Sequence, residues 1–395
     1  MNNKYIFTSE SVTEGHPDKV CDQISDSILD AILEQDPEAR VACETMITQG
    51  QAIISGEITT LADIEYTTIV ENALKRIGYT TEELGATSTL SKNKHFHIQH
   101  NIVSQSSHIA QGVDVSQDHE QGAGDQGLMF GFACNETPEL MPLPIQLAQK
   151  LSYRLSKLRK DKTLTWLKPD GKSQVSVEYE NDKPVKVTSV VIATQHENLL
   201  GKFKTEKAEH QFITDNITKH VIIPVLDEYN IDYDDNFIVN GTGRFVIGGP
   251  LADTGLTGRK IIVDTYGGYA RHGGGAFSGK DASKVDRSAA YMARYIAKNI
   301  VASKLADKCE VQLAYSIGVA DPISVNVNTF NTGKIDDYKL VNIVKETFPL
   351  KPQEIIDYLK LKNPIYTPLS AYGHFGRNGY EWEKTNMIEE ILRKK

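Results

Sequence analysis

The nonapeptide Gly273-Gly274-Gly275-Ala276-Phe277-Ser278-Gly279-Lys280-Asp281 decides how the rest of this sequence is interpreted. Its three consecutive glycines let backbone N–H groups turn toward an anion with no Cβ in the way, and Lys280 adds a positive charge. The spacing matches most of the nucleotide P-loop pattern, but Asp281 stands where that pattern needs Ser or Thr. A P-loop also follows its strand directly. Here 260–264 is predicted as a strand, and 265–272 is too long for a tight turn. A glycine-rich surface loop is the alternative.

Composition limits the partners of this chain. Its 395 residues suffice for two or three domains, and its net charge of −9 disfavours a diffuse basic surface for nucleic acid or anionic membrane. Four cysteines without CxxC spacing fit reduced thiols in the cytoplasm better than a disulfide or zinc framework. The N-terminus shows no apolar export signal, and no apolar run is long enough for a membrane span.

Positive charge is concentrated between Asn240 and Lys284, among repeated glycines. The cations of this region are Arg244, Arg259, Lys260, Arg271, Lys280 and Lys284. In an acidic protein such a local excess indicates a site for a multivalent anion. A helix predicted from about Asp286 adds its N-terminal dipole to the same region.

Near the N-terminus, Pro17 starts a predicted helix that buries Val20 and the isoleucines that follow at four-residue spacing. His16 and Asp18 either cap this helix or belong to a site. Strands are predicted at 41–47 and 52–58. They contain Glu44 and Glu57, which need either a bound cation or a solvent-facing side of the sheet.

Further along, hairpins followed by helices predict an α+β fold rather than a parallel βαβ sheet. A turn is predicted at 168–172, with strand partners at 175–180 and 185–194, and a helix at 214–226. A second hairpin is predicted from 311–319 and 323–329. The histidine-rich region 85–121 is expected to be a polar, irregular and mobile lid.

Four motifs together resemble S-adenosylmethionine synthetase (methionine adenosyltransferase). They are Phe7-Thr-Ser-Glu-Ser-Val-Thr-Glu-Gly-His-Pro-Asp-Lys19, Gly122-Ala-Gly-Asp-Gln-Gly127, Gly243-Arg-Phe-Val-Ile-Gly-Gly-Pro250 and the opening nonapeptide. The resemblance extends from Phe7 to about Trp382. It implies three similar subdomains around a pseudo-threefold axis, with segments 1–110, 115–246 and 247–395 and a mobile loop near 92–114.

The resemblance also implies the reaction and the assembly. ATP, methionine and water give S-adenosylmethionine, phosphate and diphosphate, with Mg²⁺ and K⁺ as cofactors. The family forms dimers with active sites at the subunit interface, commonly paired into tetramers. Since the methionine sulfur is already a nucleophile, the transition state mainly needs stabilisation of the departing triphosphate.

By resemblance, residue roles fall into four sets. The phosphates are contacted by His16, Lys172, Arg259, Lys260, Lys280 and Lys284. The rest of the nucleotide is held by Asp170, Arg244, Phe245, Asp253 and Ala276. Methionine lies near Glu57, Gln105, Asp125, Asp253 and Lys284. Asp18 and Asp286 hold Mg²⁺, and Glu44 supports K⁺.

Two departures from the family pattern stand out. The usual Gln-Ser-Pro-Asp-Ile of the mobile loop is Gln105-Ser-Ser-His-Ile109, preceded by a long His-rich segment at 92–103, and the usual Pro after Gly-Lys-Asp is Ala282. The first bears on loop gating. Two alternatives remain open from the sequence: another ATP-dependent enzyme with a P-loop-like turn, and a catalytically idle nucleotide-binding homologue.

Overall fold

A computed structural model describes residues 4–85, 96–104 and 121–395. In chain order, its first elements are β1 (Lys4–Val12), α1 (Pro17–Leu33), β2 (Arg40–Thr48), β3 (Gln51–Thr59), α2 (Tyr66–Ile77), β4 (His97–Val103), β5 (Gly127–Cys134) and α3 (Leu143–Lys160). The middle of the chain forms β6 (Leu167–Glu180), β7 (Lys183–His196), α4 (Glu206–Ile217), α5 (Ile223–Glu228), β8 (Asp232–Tyr233), β9 (Phe237–Val239) and β10 (Gly255–Leu256). The last part forms α6 (Ile261–Asp264), α7 (Val285–Ala302), β11 (Lys308–Tyr315), β12 (Ser324–Asn328), α8 (Asp337–Thr347), α9 (Pro352–Tyr358) and α10 (Ile388–Arg393).

Within the described ranges these strands form three sheets, in the orders β1-β6-β7-β8 with β9 beside β7, β10-β2-β3-β4, and β12-β11-β5. Most neighbours are antiparallel, but β4 runs parallel to β3, and β8 and β9 run parallel to β7. Mixed sheets with long helices confirm the predicted α+β class.

Each sheet borrows a strand from another part of the chain. β1, at the start of the chain, pairs with β6, so that Val12 lies opposite Lys172. β5 pairs with β11, and the short β10 pairs with β2 at Ile47 and Met46. Backbone pairing within each sheet therefore joins segments that are far apart along the chain.

One long helix packs on each sheet: α1 on β2, α3 on β6 and β1, and α7 on β5 and β11. α1 and α7 are buried on almost all sides. Their charged residues are therefore paired inside the protein, because an unpaired buried charge is costly. The core divides into a large cluster around α1 and α7 and a second cluster between α3 and the β6–β7 hairpin.

Two local predictions are wrong. The segment 260–264 is not a strand but contains the short helix α6, because its three apolar residues carry too little periodicity to separate a helix from a strand. The turn predicted at 168–172 lies inside β6, where the register shifts between Leu167 and Gly171. The hairpin turns instead at Asn181 and Asp182, both at positive φ (52° and 60°), a conformation that Asn and Asp tolerate.

Two other regions also differ from expectation. Part of the predicted irregular region 85–121 forms strand β4, which extends the second sheet; the lid expected near 92–114 lies largely outside the described residues. The helix predicted at 214–226 begins earlier, at Glu206, and continues through a π-helical stretch at 218–222 into α5. None of the helices in the described ranges has the length and apolar character that crossing a membrane requires.

Candidate active site

The site begins at the N-terminus of α1. His16 is the N-cap of this helix, and its Nδ1 accepts a hydrogen bond from the Asp18 N–H at 3.2 Å. The preceding turn packs so closely that a Cβ on Gly15 would overlap the Pro169 backbone. His16 and Asp18 are both buried, so the cap holds two polar groups inside the protein.

The loop 255–260 places two cations beside this cap. Asp18 accepts a hydrogen bond from the Leu256 N–H (3.0 Å) and from Lys260 Nζ (2.5 Å), and Arg259 Nε lies 3.9 Å from the same carboxylate. Lys172 stands next to the cap because β6 pairs with β1 at Val12.

The charge of this neighbourhood acts on His16. Burial, and then the positive charges of Lys260 and Lys172, lower the pKa of His16 from 6.5 to about 3. His16 is therefore a neutral imidazole at physiological pH, able to donate or accept a hydrogen bond. We refer to His16, Asp18, Lys172, Arg259 and Lys260 as the first cation group.

Beside the first group lies a cavity of about 350 Å³ whose lining includes Arg244 and Phe245. The Phe245 backbone is fixed by His196, which accepts from the Phe245 N–H at 3.0 Å. Arg244 is held by Glu209 (2.7 Å) and by Asn198. The cavity therefore offers an aromatic face next to a positioned guanidinium.

Asp170 is buried next to this cavity, and its Oδ2 accepts the Gly249 N–H at 2.8 Å. Burial raises the pKa of Asp170 to about 6, against the opposing effects of that hydrogen bond and of Lys172. Asp253 is exposed, and its side chain accepts the Thr254 N–H. The Asp253 N–H donates to the Gly249 carbonyl at 3.1 Å, so Asp170 and Asp253 both contact Gly249.

The glycine loop forms a second group. Lys280 Nζ lies 2.6 Å from Asp286 Oδ2, and Lys284 pairs with the buried Asp281. A Cβ on Gly275 would overlap the Asp286 carboxylate, so the glycines are required for this close approach. Ala276, Lys280, Lys284 and Asp286, with Glu44 below, make up the second cation group.

Glu44 lies on the outer face of β2, near Lys280. Partial burial, and then the charge of Glu57, raise the pKa of Glu44, while Lys280 opposes the shift. Glu57 is exposed on the neighbouring strand, as expected for a solvent-facing side of this sheet in one chain. Asp125 is exposed in the turn 122–127, where the Gly124 N–H reaches the Ser283 carbonyl.

The loops that carry the two cation groups approach each other at Gly258 and Ala276. Gly258, at φ +78°, lies so close to the glycine loop that a Cβ there would be 2.6 Å from the Ala276 Cβ. Across the described part of the chain, no ion pair or side-chain hydrogen bond joins the charged side chains of one group to those of the other. The residues predicted to bind phosphate and metal thus fall into two adjoining groups, whereas Asp170, Arg244, Phe245, Asp253, Glu57 and Asp125 lie outside both. Gln105 lies outside the described residues.

Asp18 and Asp286 provide hard carboxylate oxygens, one in each group, and each is paired with a lysine. In residues 4–85, 96–104 and 121–395 no three potential metal ligands come together. Mg²⁺ commonly takes only one or two protein carboxylates and completes its shell with substrate phosphates and water. The donor set therefore fits Mg²⁺ bound together with a polyphosphate.

Sequence reasoning missed two buried carboxylates behind the site. Asp22 Oδ1 accepts the Gly258 N–H, and Asp26 Oδ1 accepts the Gly279 N–H, both at 2.8 Å. The signal was present in α1, where aspartates repeat every four residues from Asp18 to Asp30. The isoleucines of α1 have the same four-residue spacing as these aspartates.

Fold and site define an α+β protein built to bind a multivalent anion between glycine turns. Family models for the N-terminal, central and C-terminal domains of S-adenosylmethionine synthetase match residues 4–107, 120–245 and 247–384. The chain is also 54% identical over 397 residues to S-adenosylmethionine synthase of Clostridium tetani (strain Massachusetts / E88), with 98% of both chains covered. The chain belongs to the S-adenosylmethionine synthetase family.

Proposed function

We propose that this chain is a methionine adenosyltransferase that uses the two cation groups to bind ATP and to stabilise the triphosphate as it departs. Family membership along nearly the whole chain supports this transferase activity. The observation that supports the assignment of the site is the carboxylate–lysine pair in each cation group, Asp18 with Lys260 and Asp286 with Lys280, which sets metal-binding oxygens beside phosphate-binding cations. No observation favours a P-loop enzyme or an idle homologue.

In the first step the methionine sulfur attacks the 5′ carbon of ATP. A sulfur–carbon bond forms, the carbon–oxygen bond breaks, and the electron pair leaves with the triphosphate. Negative charge therefore grows on the bridging oxygen, where fixed cations lower the barrier most. We assign this role to Lys172, Arg259, Lys260 and Lys280, with neutral His16 contacting the phosphates near the breaking bond.

In the second step water attacks the bound triphosphate and gives phosphate and diphosphate. The same cations neutralise the equatorial oxygens during phosphoryl transfer. Holding triphosphate in place between the steps requires no new residues. Lys284, which pairs with Asp281 in this structure, serves both the phosphate end and the methionine carboxylate.

Residues at the edges of the site recognise adenosine and methionine. Phe245 offers its ring to adenine, Asp170 holds the adenosine, and Arg244, Asp253 and Ala276 complete the nucleotide pocket. Methionine contacts the carboxylates of Glu57, Asp125 and Asp253 through its ammonium group. Gln105 belongs to this set by resemblance.

Asp18 and Asp286 would hold Mg²⁺, and Glu44 would support K⁺. Bound cations supply charge neutralisation of the phosphates. In this chain the two aspartates also orient lysines, since each is paired with one. Partial burial and then the negative charge of Glu57 raise the pKa of Glu44, and a bound cation would offset that neighbouring negative charge.

We propose a dimer with active sites shared between subunits, and pairing of dimers into a tetramer. Large apolar side chains near the site are exposed in the single chain: Val103, Leu128, Leu256, Ile317 and Val319. The proposed dimer would cover such exposed apolar side chains.

Shared sites can be tested by mixing two inactive variants, Lys260→Ala from the first cation group and Lys280→Ala from the second. If each site combines the first group of one subunit with the second group of the other, every mixed dimer regains one intact site. Activity should therefore return after subunit exchange. Mixtures as inactive as the separate variants would contradict a shared site.

The subdomain boundaries and the cellular location are also proposals. The segments 1–110, 115–246 and 247–395 are proposed as the three subdomains. A cytoplasmic location is proposed on the basis of four free, buried cysteines.

The activity is tested by incubating the purified protein with ATP, methionine, Mg²⁺ and K⁺ and measuring products by mass spectrometry. We expect S-adenosylmethionine, phosphate and diphosphate, all dependent on methionine. ADP formed without methionine would indicate a different ATP-dependent enzyme. Nucleotide binding without turnover would indicate an idle homologue.

A further inference from the structure

Helix α1 carries four aspartates at positions 18, 22, 26 and 30, one per turn. All four are buried, with exposed fractions between 0% and 9%. A buried carboxylate is costly unless its oxygens receive hydrogen bonds. Each of these side chains must therefore have partners, and the partners lie on distant segments.

Every one of the four accepts backbone N–H groups. Asp18 accepts from Leu256, Asp22 from Gly258 and Asp26 from Gly279. Asp30 accepts from Tyr366 (3.0 Å) and Thr367 (2.7 Å). The first three thus fix the two cation-bearing loops, whereas Asp30 fixes Tyr366 and Thr367, which carry no site cation; the Tyr366 ring packs on the Arg287 guanidinium, 4.0 Å from its centroid.

The residues fixed by Asp22 and Asp26 directly precede the site cations. Gly258 precedes Arg259 and Lys260, and Gly279 precedes Lys280. Both glycines have positive φ, 78° and 79°, and neither has a side chain to anchor it. The position of each following cation consequently depends on its hydrogen bond to α1.

Arg287 completes the arrangement on the glycine loop. Its guanidinium binds Asp26 through two hydrogen bonds, at 2.7 and 2.9 Å, and also donates to the carbonyls of Phe277 (3.0 Å) and Lys280 (3.2 Å). The loop is therefore held through its N–H at Gly279 and through carbonyls on either side. The planar fork of an arginine suits this combination, and a lysine cannot reproduce it.

We propose that Asp22 and Asp26 are positioning residues for the adenosyltransferase reaction, setting the places of Arg259, Lys260 and Lys280 without touching substrate. The proposal rests on the phosphate-binding role proposed above for those cations. Misplacing a catalytic group by about 1 Å can cost about a hundredfold in rate, so loss of one such hydrogen bond should affect turnover.

The first test compares Asp22→Asn with Asp30→Asn. In each variant an amide with one acceptor oxygen replaces a buried carboxylate that serves two donors: Gly258 N–H and Lys19 Nζ in one case, Tyr366 and Thr367 N–H in the other. Both should lower the melting temperature. Only Asp22→Asn should lower kcat and weaken binding of inorganic tripolyphosphate, each by about tenfold or more.

The outcomes separate the two levels of inference. Normal kcat and tripolyphosphate binding in Asp22→Asn, or equal losses in Asp30→Asn, would overturn the positioning role. Lys260→Ala is measured alongside. If it is inactive while Asp22→Asn is normal, only the positioning role fails; if Lys260→Ala is itself normal, the assigned phosphate role fails and the positioning role with it.

A second test examines Asp26 through its partner Arg287. The direct variant Asp26→Asn would leave the buried Arg287 without a negatively charged partner and endanger folding. Arg287→Lys keeps the charge but loses the fork. Arg294→Lys is the matched control: Arg294 is equally buried on α7 and binds Glu383 and the carbonyls of Phe132 and Leu140, far from any site loop. Tripolyphosphate hydrolysis should slow about tenfold or more only in Arg287→Lys. Equal rates in both variants would contradict the proposal.

Discussion

Lys280 and Asp286 form an ion pair, with Nζ 2.6 Å from Oδ2. The lysine is proposed above to bind the triphosphate and the aspartate to hold Mg²⁺. If both proposals are right, we expect the two residues to change partners when polyphosphate binds, the lysine pairing with phosphate oxygens and the aspartate with the cation. Neither charge is then left unpaired.

Lys280→Ala should slow adenosyl transfer or triphosphate cleavage by about 10² to 10³, the usual effect of removing one transition-state donor. The fold should survive, because the side chain is only partly buried. Steady-state kinetics with separate assays for the two steps would measure the effect. Lys339→Ala, an exposed lysine on α8, is the control, and turnover equal to that control would show Lys280 to be a solvated loop charge.

Asp286→Asn should raise the Mg²⁺ concentration needed for half-maximal activity, since a neutral amide is a weaker ligand for a hard divalent cation. The measurement is a Mg²⁺ titration at saturating ATP and methionine. Asp321→Asn, at an exposed turn, provides the control. A titration curve identical to that of the control would refute the ligand role.

Asp170 predicts a pH effect on ATP binding. Its pKa is raised to about 6 by burial, so the carboxylate becomes protonated as the pH falls below that value and accepts hydrogen bonds from nucleotide and backbone less well. KM for ATP should therefore rise below about pH 6 in the wild type, beyond the change caused by protonation of ATP itself.

Asp170→Asn isolates that effect, because ATP titrates identically with both proteins. The variant should bind ATP more weakly at neutral pH, and its KM relative to wild type should approach one as the pH falls. A constant ratio across the same range would mean that Asp170 does not titrate in the site.

Glu383 predicts acid sensitivity of the fold. Although burial opposes it, the charges of Arg294 and Lys298 hold the pKa of Glu383 below its ordinary value. A lowered carboxyl pKa stabilises the native state above the unfolded-state pKa of about 4.3, and this stabilisation is lost as the pH falls through the folded value. Glu383→Gln should therefore cost about 3–5 kcal/mol at neutral pH, because it leaves buried cations uncompensated.

Thermal melts between neutral and acidic pH would check this. The difference between wild type and Glu383→Gln should shrink in acid. Glu389→Gln removes an exposed partner of Arg393 and should change the melting temperature little at any pH. A pH-independent difference for Glu383→Gln would contradict the coupling.

Elements with clear periodicity were predictable from the sequence. The helices at Pro17 and near Asp286, and the hairpins β2–β3 and β11–β12, lie where the spacing of apolar residues placed them. The Pro-Asp-Gly signal at 169–171 was real but produced an irregularity within β6 rather than a turn. Strand β4 was hidden because its polar residues owe their conformation to pairing with β3, a non-local contact.

The site was predictable only in part for the same reason. Glycine and cation spacing identified both loops, and the family resemblance supplied roles that remain proposals. The sequence did not show that burial, together with Lys260 and Lys172, lowers the pKa of His16, or that Asp22 and Asp26 hold the loops from behind. These properties depend on partners more than 200 residues away along the chain, as with Asp22 and Gly258, 236 residues apart.

The borrowed strands have a consequence during synthesis. During synthesis β1 emerges before its partner β6, β2 before β10, and β5 before β11. β6 and β10 emerge within the first two thirds of the polypeptide, but the sheet that contains β5 cannot form until β11 and β12 emerge in the last third. A chain truncated before β11 should therefore expose the edges of β5 and aggregate or be degraded.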